Sequence, residues 1–210
     1  VAVLAETIPG PTIETLSLLT KELGIVLVAG SLFERAGDRF YNTSVVIDER
    51  GAPLSTYRKS HIPHDPCFYE ADYFSRGDKG YTIAATKFGR IATLICYDQW
   101  YPEAARCAAL AGADLIVYPT AIGTVEDIPE SEGDWQDAWT TVQRGHAIAN
   151  CVAVAAVNRV GREGKTTFWG GSFVAAPFGT VIAQGGNGEE IVIAECDLKS
   201  GREIAEYWGF

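Results

Sequence analysis

The chain has 210 residues, 47% hydrophobic and 21% charged, a globular balance with length enough for one core or two small domains. Its 17 Lys and Arg stand against 27 Asp and Glu, a formal net charge of −10 at pH 7. So acidic a chain lacks the basic footprint that binds nucleic acid or anionic membrane, so neither is expected as a partner; a cationic small molecule is favoured.

In chain order, Pro11 to Leu23 carries apolar residues at helical spacing, with Gly24 as its stop. Ile25 to Phe33 is an apolar, β-branched run suited to a buried strand. Asn42 to Asp48 and Leu54 to Lys59 flank a Glu49-Arg50-Gly51 turn and predict a hairpin; Tyr81 to Phe88 and Ile91 to Tyr97 predict a second. Pro102 to Ala111 predicts a helix opened by proline and followed by Gly112. Asp114 to Tyr118 predicts a strand, Trp135 to Asn150 an amphipathic helix, and Val152 to Val157 another buried strand. Ser172 to Ala176, Val181 to Gln184 and Ile191 to Asp197 complete the strand set. Units of βα type mixed with hairpins predict an α/β layered fold with mixed sheets.

No apolar run approaches the roughly 18 residues of a membrane span. Val1 to Ala5 has no basic lead-in for a secretory signal, and no Met occurs, so the chain is not expected to begin at a primary translation start and is either a fragment of a longer protein or a truncated homologue. The five cysteines (Cys67, Cys96, Cys107, Cys151, Cys196) are widely spaced, odd in number and form no C-x-x-C. With only His61, His64 and His146 beside them, neither a disulfide framework nor a metal site is expected, and a reducing cytoplasm is the natural setting.

The strongest chemical signal is Ile91 to Trp100 (IATLICYDQW), where a buried strand delivers Cys96 just before a helix that opens at Pro102. Such an elbow exposes a nucleophile and brings backbone N–H groups close enough to hold an oxyanion. The plain alternative is that Cys96 is a small buried hydrophobe. Lys59, within Tyr57 to Pro63 (YRKSHIP), could lower a thiol pKa or bind an oxyanion, or be a solvated strand end. Glu70 sits among Phe68, Tyr69, Tyr73 and Phe74, either partly buried with a purpose or on an exposed loop. A Cys–Lys–Glu set is unusual because most thiol enzymes take His as base; a Cys–His pair through His61 or His146 stays open on composition.

The segments YRKSHIP, ICYDQWYPEAAR (Ile95 to Arg106), PTAIG (Pro119 to Gly123), QRGHAIAN (Gln143 to Asn150), VNRVG (Val157 to Gly161) and GGSFVAAPFG (Gly170 to Gly179) together resemble the nitrilase superfamily of carbon–nitrogen hydrolases. The resemblance runs in order through nearly the whole chain and implies a four-layer αββα sandwich. It further implies a homo-oligomer and metal-free, cofactor-free hydrolysis of a non-peptide C–N bond through a cysteine thioester. Residues 1–210 would form one such domain, truncated at both ends. Cys96 then matches the nucleophile, Lys59 the oxyanion-stabilising lysine with the Tyr97 N–H as second donor, and Glu70 the supporting glutamate. Asn158 and Arg159 match a pair that braces the site. Trp100, Thr120, Ala121 and Glu126 are the expected substrate contacts.

The chain departs from the pattern in two places. Cys67 stands where the family usually has Gly, and Ala71 where it often has Lys. The family's general-base glutamate lies upstream of the region that begins this chain, and Glu6, in AETIPGP, is not that residue. The expectation is therefore that residues 1–210 lack that base, together with the family's first strands and helix. The likeness is greatest to the branch that hydrolyses carbamoyl amines such as N-carbamoylputrescine. Its distal ammonium would seek Glu126, Asp127, Glu130 or Glu132 and the tryptophans at 100, 135, 139 and 169, although each acidic residue could equally be solvated loop and each tryptophan core. The alternative within the same family is an amidase of the omega-amidase or β-ureidopropionase type, whose anionic substrate would instead call on Arg144 or Arg162. A catalytically silent binding or assembly protein is the reading from another class.

Overall fold

The computed structural model describes residues 2–210 and contains three sheets and four α-helices among them. Helix α1 (Pro11–Leu23) starts on Pro11 and ends on Gly24, whose φ of 64° lets its N–H turn back to the Thr20 carbonyl. It lays Ile13 and Leu16 over Ala29, Val45 and Ile47. Those residues belong to a three-stranded antiparallel sheet of β1 (Leu27–Ala36), β2 (Arg39–Ile47) and β3 (Pro53–Arg58).

The larger sheet has the order β12-β11-β8-β6-β5-β4. Its centre is parallel: β5 (Arg90–Thr93), β6 (Leu115–Thr120) and β8 (Ala153–Asn158) run together, with β4 (Ile83–Ala85), β11 (Phe173–Ala175) and β12 (Val181–Gln184) added antiparallel. The parallel strands bear near-continuous apolar runs because helices cover them. Helix α2 (Pro102–Leu110) buries Ala104, Ala105 and Ala108, and α3 (Trp135–Asn150) buries Trp139, Gln143, His146 and Ala147. Each set lies on one face at helical spacing, packed around Ala92, Leu94, Ile116, Tyr118 and Val154. Asp134 caps α3 by accepting from the Asp137 N–H at 2.9 Å.

The two sheets meet where β1 approaches β6 and β3 approaches β4. The order across the molecule is therefore helix, sheet, sheet, helix, in mixed sheets without a closed barrel. A third, small antiparallel sheet, β7 (Gly123–Val125), β10 (Thr166–Trp169) and β9 (Val160–Glu163), stands beside the carboxyl ends of β6 and β8.

Several boundaries differ from the sequence reading. The run at Ile25 to Phe33 begins later and continues to Ala36, because Gly37, with φ 66°, turns it directly into β2. The strand expected over Ile91 to Tyr97 stops at Thr93, and Cys96–Trp100 form a 3₁₀ turn. Ile191 to Asp197 form no ladder, with Ile191 and Ile193 88% and 85% exposed. Their alternation is that of a strand, but a strand needs a sheet edge to pair with, and no such pairing forms here. Ser200–Trp208 form helix α4. No helix among the described residues is long and apolar enough to cross a membrane.

Candidate active site

The site is assembled from chain ends, where each backbone leaves regular structure. After β5 the chain runs through Leu94 and Ile95 into the 3₁₀ turn, and Cys96 takes φ 47°, in the left-handed region. An L-residue there costs about 1–2 kcal/mol, which the surrounding hydrogen bonds must offset. The bend aims the thiol toward the Ala121 carbonyl, 3.9 Å from Sγ. Tyr97 follows within the first amides of the turn, donors that such a turn leaves without internal acceptors. Burial pushes the Cys96 thiol above its ordinary range, while the Lys59 ammonium and the Ala121 contact pull the other way.

Lys59 comes immediately after β3 and is 1% exposed. Its Nζ donates to both carboxylate oxygens of Glu70, each at 2.8 Å. An isolated ammonium cannot be buried at tolerable cost, so Glu70 is what permits Lys59 to stand in the interior. Glu70 opens a short 3₁₀ turn and also accepts from Asn42 Nδ2 at 3.4 Å. The lysine backbone is fixed on both sides: its N–H donates to the Asn42 carbonyl, and its carbonyl accepts from Gly77 N–H, both at 2.8 Å. A Cβ on Gly77 would sit 2.1 Å from the Arg58 carbonyl, so only glycine permits that approach.

Asp98 joins the lysine segment to the cysteine turn. It is fully buried and accepts from Tyr57 Oη at 2.8 Å, His61 N at 3.0 Å, His61 Nδ1 at 2.7 Å and Ile95 N at 2.8 Å. The His61 ring stacks on Tyr101 with centroids 3.7 Å apart. His146 Nε2 donates to the Gln99 carbonyl at 2.8 Å. Neither histidine lines the cavities around Cys96, which removes the Cys–His pairing left open by composition.

Those cavities are two. One, about 690 Å³, is bounded by Asn42, Glu70, Cys96, Thr120, Asn158 and Arg159 among others. The second is a narrow, mainly apolar slot of about 90 Å³, shared by Phe68, Glu70, Cys96, Tyr97, Trp100 and Ala121. Thr120 Oγ1 donates to Gln99 Oε1 at 3.2 Å. Asn158 clamps the loop after β6, accepting from Ile122 N at 2.9 Å and donating to the Ile122 and Gly170 carbonyls at 3.0 and 2.9 Å. Arg159 lies over the Phe168 ring at 4.4 Å and pairs with Glu163.

The structure thus brings together Cys96, Lys59, Glu70, Tyr97, Trp100, Thr120, Ala121, Asn158 and Arg159. It does not bring Glu126, which is exposed and paired with Arg162 at 2.7 Å, outside both cavities. Arg144 donates to the Gly179 carbonyl at 2.9 Å and likewise lines neither cavity. Trp139 is wholly buried in the core. Sequence reasoning missed Asn42, the Gly77 contact and the role of Asp98. Asp98 stood two residues past Cys96 in the segment that carried the signal. No group of three or more His, Cys, Asp or Glu among the described residues could hold a metal ion.

Residues 2–206 match the family model described as carbon–nitrogen hydrolase. The chain is 43% identical to an N-carbamoylputrescine amidase of Solanum lycopersicum over 98% of its own length and 71% of that protein's. It is 40% identical to a citrullinase of Francisella tularensis, over 98% of this chain and 73% of that one. A carbon–nitrogen hydrolase from Helicobacter pylori G27 superposes with a TM-score of 0.90 at 43% identity, over 95% of this chain and 71% of the other.

Proposed function

Since the chain belongs to the carbon–nitrogen hydrolase family, and is thereby a hydrolase of amide C–N bonds in small molecules, we propose that its substrate is a carbamoyl amine of the N-carbamoylputrescine type. The observation that carries the catalytic reading is that Glu70, which lines both cavities with Cys96, holds the buried Lys59 ammonium close enough for its charge to act on the Cys96 thiol. An ammonium has three protons, and two are taken by Glu70, leaving one to point at a developing oxyanion.

The reaction follows from that placement. The Cys96 thiol, on losing its proton to the general-base glutamate that the family pattern puts outside residues 1–210, attacks the ureido carbonyl. Lys59 Nζ and the Tyr97 N–H receive the oxyanion, the base returns the thiol's proton to the departing nitrogen, which leaves as ammonia, and a carbamoyl thioester remains. Water then cleaves the thioester, giving a carbamate that falls apart to carbon dioxide and the free amine. Glu70 holds the lysine in place, because both its oxygens are engaged by Nζ. Asn158 and Arg159 brace the cavity wall, and Thr120, Ala121 and Trp100 border the substrate.

A cation is favoured over an anion because the arginines and lysine nearest the cavities already have carboxylate partners: Arg159 on Glu163, Arg162 on Glu126 and Lys165 on Asp127. The wider reading has three parts: one catalytic domain across residues 1–210, a reducing cytoplasmic setting that suits the free, exposed Cys67 and Cys107, and self-association through exposed apolar side chains such as Leu18 and Ile193. The test is ammonia release from N-carbamoylputrescine by the purified protein with its general-base glutamate present, and by its C96A variant. Turnover lost in C96A supports the proposal; turnover retained there, or absent in the parent, rejects it.

A further inference from the structure

A third cavity, of about 560 Å³, adjoins the slot that holds Cys96. It is lined by Tyr97, Trp100, Ile122, Glu132, Trp135 and Ala138. Tyr97, Trp100 and Ile122 belong to both, so the slot at the reacting sulfur borders directly on a chamber with three aromatic side chains and a single carboxylate. Glu132 Oε2 accepts from Trp135 Nε1 at 3.2 Å, and Oε1 accepts from Ser131 Oγ at 2.8 Å. Hydrogen bonds from Ser131, its own backbone and Trp135 hold the carboxyl below the usual range, so it is charged at neutral pH.

Among the described residues Glu132 has no cation beside it and, unlike Glu130, which also has none, it lines the chamber. Glu126 is paired with Arg162, Asp127 with Lys165 and Glu163 with Arg159, whereas no ion pair involves Glu132 among the described residues. A carboxylate oriented by an indole N–H, beside aromatic rings and uncompensated, has the chemistry of an ammonium receptor. A neutral tail would gain only the apolar wall.

We infer that Glu132, framed by Tyr97, Trp100 and Trp135, receives a primary ammonium at the far end of the substrate chain and selects for it. This rests on the reading of the chain as a carbamoyl-amine hydrolase and adds the group that decides among such amines. The ligand class is an unbranched aliphatic chain with a carbamoyl group at one end and an ammonium at the other. An α-amino acid ending is disfavoured, because its carboxylate would face that of Glu132.

The test separates binding from turnover. Kd is measured by calorimetry on C96A and on C96A/E132Q for N-carbamoylputrescine, for its neutral analogue n-butylurea, and for citrulline. The expected result on C96A is about tenfold tighter binding of N-carbamoylputrescine than of n-butylurea, the size of an ammonium held by one exposed carboxylate and aromatic faces. Citrulline binds no better than n-butylurea. The preference collapses to within about twofold in C96A/E132Q, while n-butylurea binding is unchanged. Equal binding of the two ureas by C96A, or a preference that survives E132Q, overturns the inference. A preserved preference with no ammonia release by the parent protein would leave Glu132 as the ammonium receptor and reject the hydrolase assignment instead.

Discussion

Replacing Asp98 by alanine is the most incisive perturbation of this site that leaves its reacting groups in place. The carboxylate is wholly buried and receives four donors from three segments: Tyr57 on β3, His61 beyond Lys59, and Ile95 at the entry to the cysteine turn. D98A leaves the buried Tyr57 phenol with Ser60 alone as partner and strands two donors of His61 and the Ile95 amide. Breaking a buried charged network by removing one member costs about 3–5 kcal/mol. In a chain of this size each kcal/mol lowers Tm by about 2–4 °C, so D98A should lose about 6–20 °C. H61N retains a side-chain N–H near the place of Nδ1, whereas H61A removes it and its ring stack. The order of stability should therefore be parent, H61N, H61A, D98A, read by urea unfolding at neutral pH. Cys96 alkylation by iodoacetamide, measured well below the unfolding transition, should follow the same order, because Asp98 sets the cysteine turn against the lysine segment. A D98A protein within about 1 kcal/mol of the parent would refute the argument, as would equal losses in H61N and H61A.

K59M should lower kcat by about 10²–10³-fold, the effect of one lost oxyanion donor, with KM little changed; a loss below tenfold in steady-state ammonia release would move the oxyanion role elsewhere. Because burial pushes the Cys96 thiol up and Lys59 opposes it, the pH midpoint of iodoacetamide modification should lie above the free-cysteine value of about 8.5 and rise further in K59M. A midpoint near neutrality would show that Cys96 is already a thiolate. Burial also pushes Glu34 up, but the Arg58 and Thr43 hydrogen bonds outweigh it and leave the carboxyl below its usual range. The unfolded chain therefore takes up that proton first as pH falls, so this contribution is complete above about pH 5 and is lost through the lowered folded pKa. Urea midpoints of the parent should fall more steeply than those of R58M between pH 5 and pH 3. W139A should cost about 3–5 kcal/mol by thermal unfolding, since Trp139 is wholly enclosed by core.

The helices and central strands could be read from the sequence because their signals are local. Pro11 with Gly24, and Pro102 with Gly112, mark where helices α1 and α2 begin and end. The apolar runs of β6 and β8 reflect cover on both faces. Cys96 and Lys59 were legible for a different reason, as parts of specific segments shared with a family. What the sequence hid is long-range pairing. Ile191 to Asp197 has the alternation of a strand and no edge to join, while the β9–β10 hairpin, around Gly164 and Lys165, carries too few apolar residues to stand out. Glu126 and Glu132 look alike in a row of acidic residues; only the position of Arg162 across the hairpin separates a neutralised carboxylate from a free one. Asp98 looked like a polar residue in a turn, and its four donors come from positions up to 41 residues away.

The burial of Lys59 against Glu70 has a consequence for the timing of energetic costs. Stripping water from an ammonium is expensive, and here that step is completed when the chain folds. On the proposed mechanism, a transition state forming at Cys96 would meet a donor already stripped of water and held by Glu70, with no hydration shell to rearrange before it can help. The carboxylate that makes this possible also keeps the pair neutral in sum, so an uncharged ureido group can enter beside a full positive charge without first meeting the field of an isolated ion. Catalytic readiness in this site is thus stored as a feature of the folded ground state, and any change that lets water reach Nζ should slow the reaction even where every named residue remains in place.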